Sequence, residues 1–354
     1  TLAIIGVTYR GPDYVRALSL YGVVLGLAAV GGQLIGGVLV ETDVLGLGWR
    51  SCFLINVPVG LVALVATARS VPESRAERRL PLDLVGALLL TAGLVAVLLP
   101  LIEARPLGWP AWTWISLATS PAILAGFIAH QRRLGRREGG PLLDLSLFGD
   151  RAFSAGLATQ FFLACAQASF FVYLALYLQV GRGLGPLEGG LVFTIIAVAY
   201  VALSGPAPGL TERFGRSVVA VGGLCLSAGL ALLALAVADV GTHGSLLELV
   251  PGLALAGAGI GLCFTPLTST VLANVEPSRA GAASGAMATM QQIGYAVGVA
   301  VTGVIFFGAA DDGIGHAFQL SLVALAVVSA GILPASRLLP RVAAGEPVPA
   351  PAPA

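Results

Sequence analysis

Apolar runs of roughly 20 residues, separated by short polar stretches, repeat along the whole chain. A helix rises about 1.5 Å per residue and a bilayer core is about 30 Å thick, so each run predicts one crossing. Ten spans result, at 18–40, 52–68, 85–102, 114–130, 153–179, 187–208, 218–238, 247–272, 282–307 and 317–339. The opening run 1–8 reaches only about 12 Å and reads as the stump of a helix, which makes the chain an N-terminally truncated fragment. Residues 342–354 alternate Pro with Ala and Val and predict a disordered tail.

Charge supplies an independent test of this alternation. All nineteen basic residues are arginine, and the ten spans place sixteen of them on one side. Arg50, Arg105 and Arg182 alone fall on the other. Arginine-rich loops stay in the cytoplasm, which puts both ends of the chain there. The longest connection on that side, 131–150, carries Arg132, Arg133, Arg136 and Arg137 and reads as a join between two bundles.

Composition narrows the class further. Hydrophobic residues make up 57% of the 354 and charged residues 10%, against about 25% charged in a soluble domain. Lipid must therefore surround most of the chain, and the fold class is all-α integral membrane. A net charge of +1 argues against a nucleic-acid partner, which calls for a concentrated basic face. Cys52, Cys165, Cys225 and Cys263 sit in or beside apolar runs without metal spacing and read as inert thiols. No metal or cofactor is expected. The all-arginine usage, with abundant Ala, Gly, Leu and Val, points to a GC-rich bacterial genome and so to a bacterial plasma membrane.

Inside the spans, small residues recur four apart: Gly22 with Gly26, Gly32 with Gly36 followed by Gly37, and Gly294 with Gly298. Positions i and i+4 share a helix face, so such stripes let a second helix come close. Uncharged polar residues are the other feature. Gln160, Gln167 and Phe171 share one face, and Tyr177, Thr194, Gln291, Gln292 and Tyr295 lie in the same or other spans. An amide facing lipid is costly, so these, with Gln33, should face the bundle interior. They either line a substrate cavity or bond helix to helix.

Several stretches resemble a known family. The segment from Gly26 through Gly32-Gln33-Leu34-Ile35-Gly36-Gly37 is similar to the glycine-rich antiporter motif of major facilitator drug exporters. Trp49-Arg50-Ser51-Cys52-Phe53-Leu54-Ile55-Asn56-Val57-Pro58-Val59-Gly60 resembles a long motif of their fourteen-span drug:proton antiporters. Leu210-Thr211-Glu212-Arg213-Phe214-Gly215-Arg216 resembles the superfamily's cytoplasmic gating loop, with Glu212 for Asp. Glu212 also precedes a helix expected near Val218, where a carboxylate gains about 0.3–1 kcal/mol from the helix dipole.

The resemblance implies a major facilitator bundle holding ten of fourteen spans. Residues 1–79 would be the remainder of an N-terminal six-helix half, 80–137 two linker spans, and 138–341 the C-terminal half. It implies a monomeric, non-enzymatic transporter exporting amphipathic organic compounds in exchange for protons, energised by the proton gradient. The family's coupling carboxylate falls in spans this sequence does not contain, and no Asp or Glu lies near mid-membrane. Export of an endogenous metabolite or lipid, a membrane-embedded lipid-modifying enzyme, and an inactive fragment are the alternatives.

Overall fold

Pro12 and Asp13 start a helix earlier than the apolar run alone predicts. Proline suits the first turn of a helix and an acid suits its dipole, so α1 spans Pro12–Glu41. The computed structural model describes residues 9, 12–43, 46–70, 83–103, 107–136, 142–143, 145–273, 275 and 280–339. The expected stump 1–8 and the tail 342–354 lie outside the described residues, as do Arg75, Arg78, Arg79 and Arg137.

After α1 come a turn at Gly48–Arg50, α2 (Ser51–Leu54), α3 (Asn56–Ser70), α4 (Leu84–Glu103) and α5 (Ala111–Arg136). A turn at Leu145–Gly149 leads into α6 (Arg151–Leu176), which ends in a wide π turn at Tyr177–Gly181. Then follow α7 (Pro186–Ser204), α8 (Ala207–Phe214), α9 (Ser217–Val240), α10 (Val250–Ala273), α11 (Ala280–Ala309), α12 (Ile314–Ala330) and α13 (Ile332–Arg337). Among the described residues there is no strand.

Nine segments of the described residues are long and apolar enough to cross a bilayer. They coincide with nine of the ten expected spans. The remaining one, 18–40, falls within α1, whose 30 residues reach about 45 Å. The protein is a multi-pass α-helical membrane protein.

Two boundaries differ from expectation. The span 187–208 stops at Ser204, and residues 207–214 form the separate helix α8. Pro206 caps its start, and Gly215, at φ 55°, ends it. The span 317–339 is interrupted at Gly331, because Pro334 offers no N–H to the carbonyl of Ala330 four residues back.

The core lies among α6, α7, α9, α10, α11 and α12, where Phe153, Leu163, Phe170, Leu230, Phe306 and Phe318 are essentially inaccessible. α10 is closely approached on two sides. A Cβ at Gly259 would press on the backbone of Leu226 in α9, and one at Gly257 on the backbone of Ile196 in α7. Without a hydrophobic drive between helices in lipid, such approach is what van der Waals packing requires. α3 has the opposite character: none of its residues is buried, and Val57, Leu61, Val62 and Leu64 are all exposed. An apolar exposed surface of this kind fits hydrocarbon and not water.

Candidate functional site

The interior polar groups are neutral. Among the described residues, the buried polar side chains of the membrane-spanning helices are Ser, Thr, Gln and Tyr. A half-buried polar group joins α6 and α11. Gln291 donates through Nε2 to the Tyr295 hydroxyl at 2.9 Å, and that hydroxyl points its proton toward Gln167 Oε1 at 3.5 Å. Gln291 and Tyr295 are one helical turn apart, which brings their side chains together. Small residues let α11 come this near: a Cβ at Gly298 would lie 2.6 Å from Cys165 Cα in α6.

Tyr200 on α7 extends the group. The phenols of Tyr21 and Tyr295 are its electrostatic neighbours, and its hydroxyl lies 3.5 Å from the Gly22 carbonyl of α1. Beside it, Tyr21, Phe264, Thr265 and Thr268 line a small cavity between α1 and α10. Thr265 Oγ1 and Gln160 Oε1 are buried without a hydrogen-bond partner in the structure. Pro266, next to Thr265 inside α10, supplies no N–H to the turn before it. Polar capacity is thus open at Thr265 beside this cavity, and at Gln160 on α6, where water or a ligand's hydrogen-bonding group would satisfy it.

The structure assembles Gln167, Gln291 and Tyr295 and buries Gln160 near them on α6. Phe171 is half-buried and meets Phe193 of α7 edge to face at 5.8 Å. Thr194 turns its hydroxyl back to the Gly190 carbonyl at 3.1 Å. Two expectations of interior placement need correction, while Tyr177 takes the helix-to-helix alternative. Gln33 and Gln292 are exposed among the described residues. Tyr177 is fully buried, but as a clamp: its hydroxyl donates to the Gly241 carbonyl at 2.5 Å and its ring stacks on Phe318 at 4.7 Å. Arg182 donates to the Tyr177 hydroxyl at 3.1 Å and to the Gly244 carbonyl.

Tyr200 belongs to the intramembrane polar residues the sequence points to, whereas Tyr21, Phe264, Thr265 and Thr268 are not among them. Only their intramembrane position offers a signal.

The glycine-rich motif is used selectively. A Cβ at Gly37 would stand 2.8 Å from the Pro186 carbonyl oxygen and 2.9 Å from Leu187 Cα, so this glycine sets how closely α1 meets α7. Gly190 answers from α7, where a Cβ would fall 3.0 Å from the Gln33 carbonyl oxygen. Gly32 faces open space and Gly36 only touches Cys52. The surroundings of Gly26 lie outside the described residues.

The loop motif folds differently from the expectation at Glu212. Glu212 and Arg213 belong to α8 and are exposed, so Glu212 stands in the last turn of one helix and not ahead of the next. Arg216 is the N-cap residue of α9. Its guanidinium donates to the carbonyls of Arg337 and of Leu339, the latter at 2.9 Å. A cation suits the end of a helix, where carbonyls lack partners. Gly215 is buried and gives the reversal between α8 and α9 its positive φ. Among the described residues, no three His, Cys, Asp or Glu side chains converge as metal ligands would.

The sequence matches the profile described as Major Facilitator Superfamily over residues 1–299 and again over 156–353. It is 37% identical over 310 residues to the probable actinorhodin transporter of Streptomyces coelicolor, covering 87% of this chain and 53% of that protein. It is 31% identical over 306 residues to the multidrug resistance protein Stp of Mycobacterium tuberculosis, covering 86% and 55%. Against the tetracenomycin C resistance and export protein of Streptomyces glaucescens it is 30% identical over 320 residues, covering 88% and 56%. The chain spans about half the length of the curated relatives it matches.

Proposed function

Because the chain belongs to the Major Facilitator Superfamily, we propose that it works as a secondary active exporter of amphipathic, drug-like organic compounds. The proton gradient drives export by alternating access, and no cofactor takes part. Residues 1–79 belong to one half of the transporter, 80–137 to a linker, and 138–341 to the second half. The protein acts as a monomer in the bacterial plasma membrane, with its arginine-rich loops and both ends of this chain facing the cytoplasm.

The observation that carries this reading is the neutral group of Tyr295, Gln291 and Gln167, half-buried between apolar helices with the buried Tyr200 alongside. Ligand sites combine an apolar wall with a few placed polar groups, and phenols and amides offer both donors and acceptors. Relatives named for actinorhodin transport, multidrug resistance and tetracenomycin C export support organic cargo. Gly37 against Pro186 and Leu187 supports a close, sliding-capable contact between α1 and the later bundle. The gating role of Glu212, Arg213, Gly215 and Arg216 is part of the same proposal. In it Arg216 ties the start of α9 to the end of α13.

Expression in an efflux-deficient bacterium tests the proposal. Accumulation of lipophilic dyes should fall, and a protonophore should restore it. Unchanged accumulation across a chemically broad panel would remove the export reading while leaving the fold intact.

A further inference from the structure

We infer that Asp83, His130 and Gln131 form a lock that fastens the α4–α5 hairpin to the helical bundle beginning at α6, so that the two travel as one body. Asp83 sits one residue before α4, with its side chain 3% exposed. Its Oδ1 accepts from the Gly86 N–H at 2.7 Å and lies 2.9 Å from His130 Nε2. Its Oδ2 accepts from Gln131 Nε2 at 2.6 Å. The carboxylate therefore caps α4 and holds the last turns of α5 at the same time. A proton on His130 Nε2 suffices for that bond, whichever charge the ring carries.

Gln131 makes the lock reach beyond the hairpin. It is buried, and its other amide atom, Oε1, accepts from the Leu143 N–H at 3.1 Å. Leu143 packs against the main core cluster, and Leu147, four residues on, is buried in it. One glutamine side chain thus has its donor in the hairpin and its acceptor on the strip of chain entering α6.

The hairpin is itself stiff. A Cβ at Gly93 would meet Leu124 at 2.5 Å, and Ser116 donates to the Ala96 carbonyl at 3.0 Å across the pair. α4 also packs on α11. At Gly86, a Cβ would collide with both the Asp83 carboxylate and the Gln131 amide, so the cluster leaves no room for a side chain there. A carboxylate withdrawn from water is stable only while all its donors are present. The three contacts consequently form or fail together.

The lock itself is independent of transport, and only the statement that hairpin and bundle travel together rests on the alternating-access reading above. The test uses the full chain in lipid nanodiscs. Amide hydrogen exchange over residues 142–149 reads the Leu143 bond. Spin labels at exposed Leu107 and Leu247, with Cys52, Cys165, Cys225 and Cys263 replaced by alanine, read the distance between hairpin and bundle. The wild-type chain should show a protected Leu143 amide and one narrow distance distribution. Gln131→Met, close in volume and unable to hydrogen-bond, should speed exchange at 142–149 about tenfold and broaden the distribution. Asp83→Asn, which turns a donor toward Gln131, should do the same should the first variant fold poorly. Fast exchange at Leu143 in the wild type overturns the lock. Unchanged exchange and distance in a folded variant does so too. Absence of export by the wild-type chain, with a protected Leu143 amide and one narrow distance distribution, counts against the transport reading and not against the lock.

Discussion

The Tyr177 hydroxyl and the Gly241 carbonyl stand 2.5 Å apart, joining the end of α6 to the end of α9. The Tyr177 ring meanwhile lies within 20° of parallel to Phe318 of α12. Three helices are gathered by one side chain. Tyr177→Phe keeps the stack but leaves the Gly241 carbonyl and Arg182 short of a partner, which should cost about 1–3 kcal/mol. A melting curve of purified protein in detergent checks this. An unchanged midpoint would show the bond to be dispensable.

Gly37 and Gly32 make a matched pair for testing the glycine-rich motif. Gly37→Val places atoms into Pro186 and Leu187 and should separate α1 from α7, lowering stability by about 1–3 kcal/mol as overpacking does. Gly32→Ala enters open space and should stay within about 0.5 kcal/mol of the parent or improve it. Equal effects from the two would contradict the crossing geometry.

Tyr295→Phe removes the hydroxyl shared by Gln291 and Gln167. For a cargo that hydrogen-bonds there, KM should rise about tenfold with little change in folded yield, since a lost bond of this kind is worth about 1.4 kcal/mol. Initial-rate uptake into inverted vesicles measures it. A cargo-independent loss of kcat alone would indicate a role in helix packing.

Asp83 gives the fold a defined acid limit. Burial raises its pKa, but the Gly86 bond and the His130 and Gln131 donors more than reverse that, leaving it at about 2. The unfolded group titrates near 3.9. The folded value being lower, the stabilisation is fully present above that pH and disappears as pH falls through about 2; it amounts to about 2 kcal/mol. Acid titration of tertiary structure in detergent should show a loss over this window in the parent chain. Asp83→Asn, with no charge to lose, should show a flatter profile there.

Much of the fold was legible because lipid imposes a simple rule on the chain. Runs of about 20 apolar residues and the one-sided placement of arginine located nine crossings to within a few residues. α8 escaped because eight residues with Pro206 before them and Pro208 among them look like a loop, although proline fits a first turn well. Spacing put Gly32 and Gly36 on one face, yet the close contact falls to Gly37, because the partner's position decides which glycine matters. Gln160, Gln167, Gln291 and Tyr295 could be found from the cost of placing amides and phenols in hydrocarbon. That cost does not separate a cavity wall from a clamp, and it takes the structure to place Tyr177 among the clamps. Asp83 and His130, 47 positions apart, carried no shared pattern at all.

Among the described residues, the buried polar side chains of the membrane-spanning helices are Ser, Thr, Gln and Tyr, which bears on electrophysiology. The Asp83 carboxylate lies just before α4 and not within a span. Moving one elementary charge through 100 mV exchanges about 2.3 kcal/mol with the membrane potential, whereas shifting a neutral hydroxyl or amide exchanges almost none. If these helices rearrange as proposed, movement of those neutral groups is electrically silent by itself. Any current or voltage dependence recorded during turnover would report the ions and cargo in transit, and its size would count them.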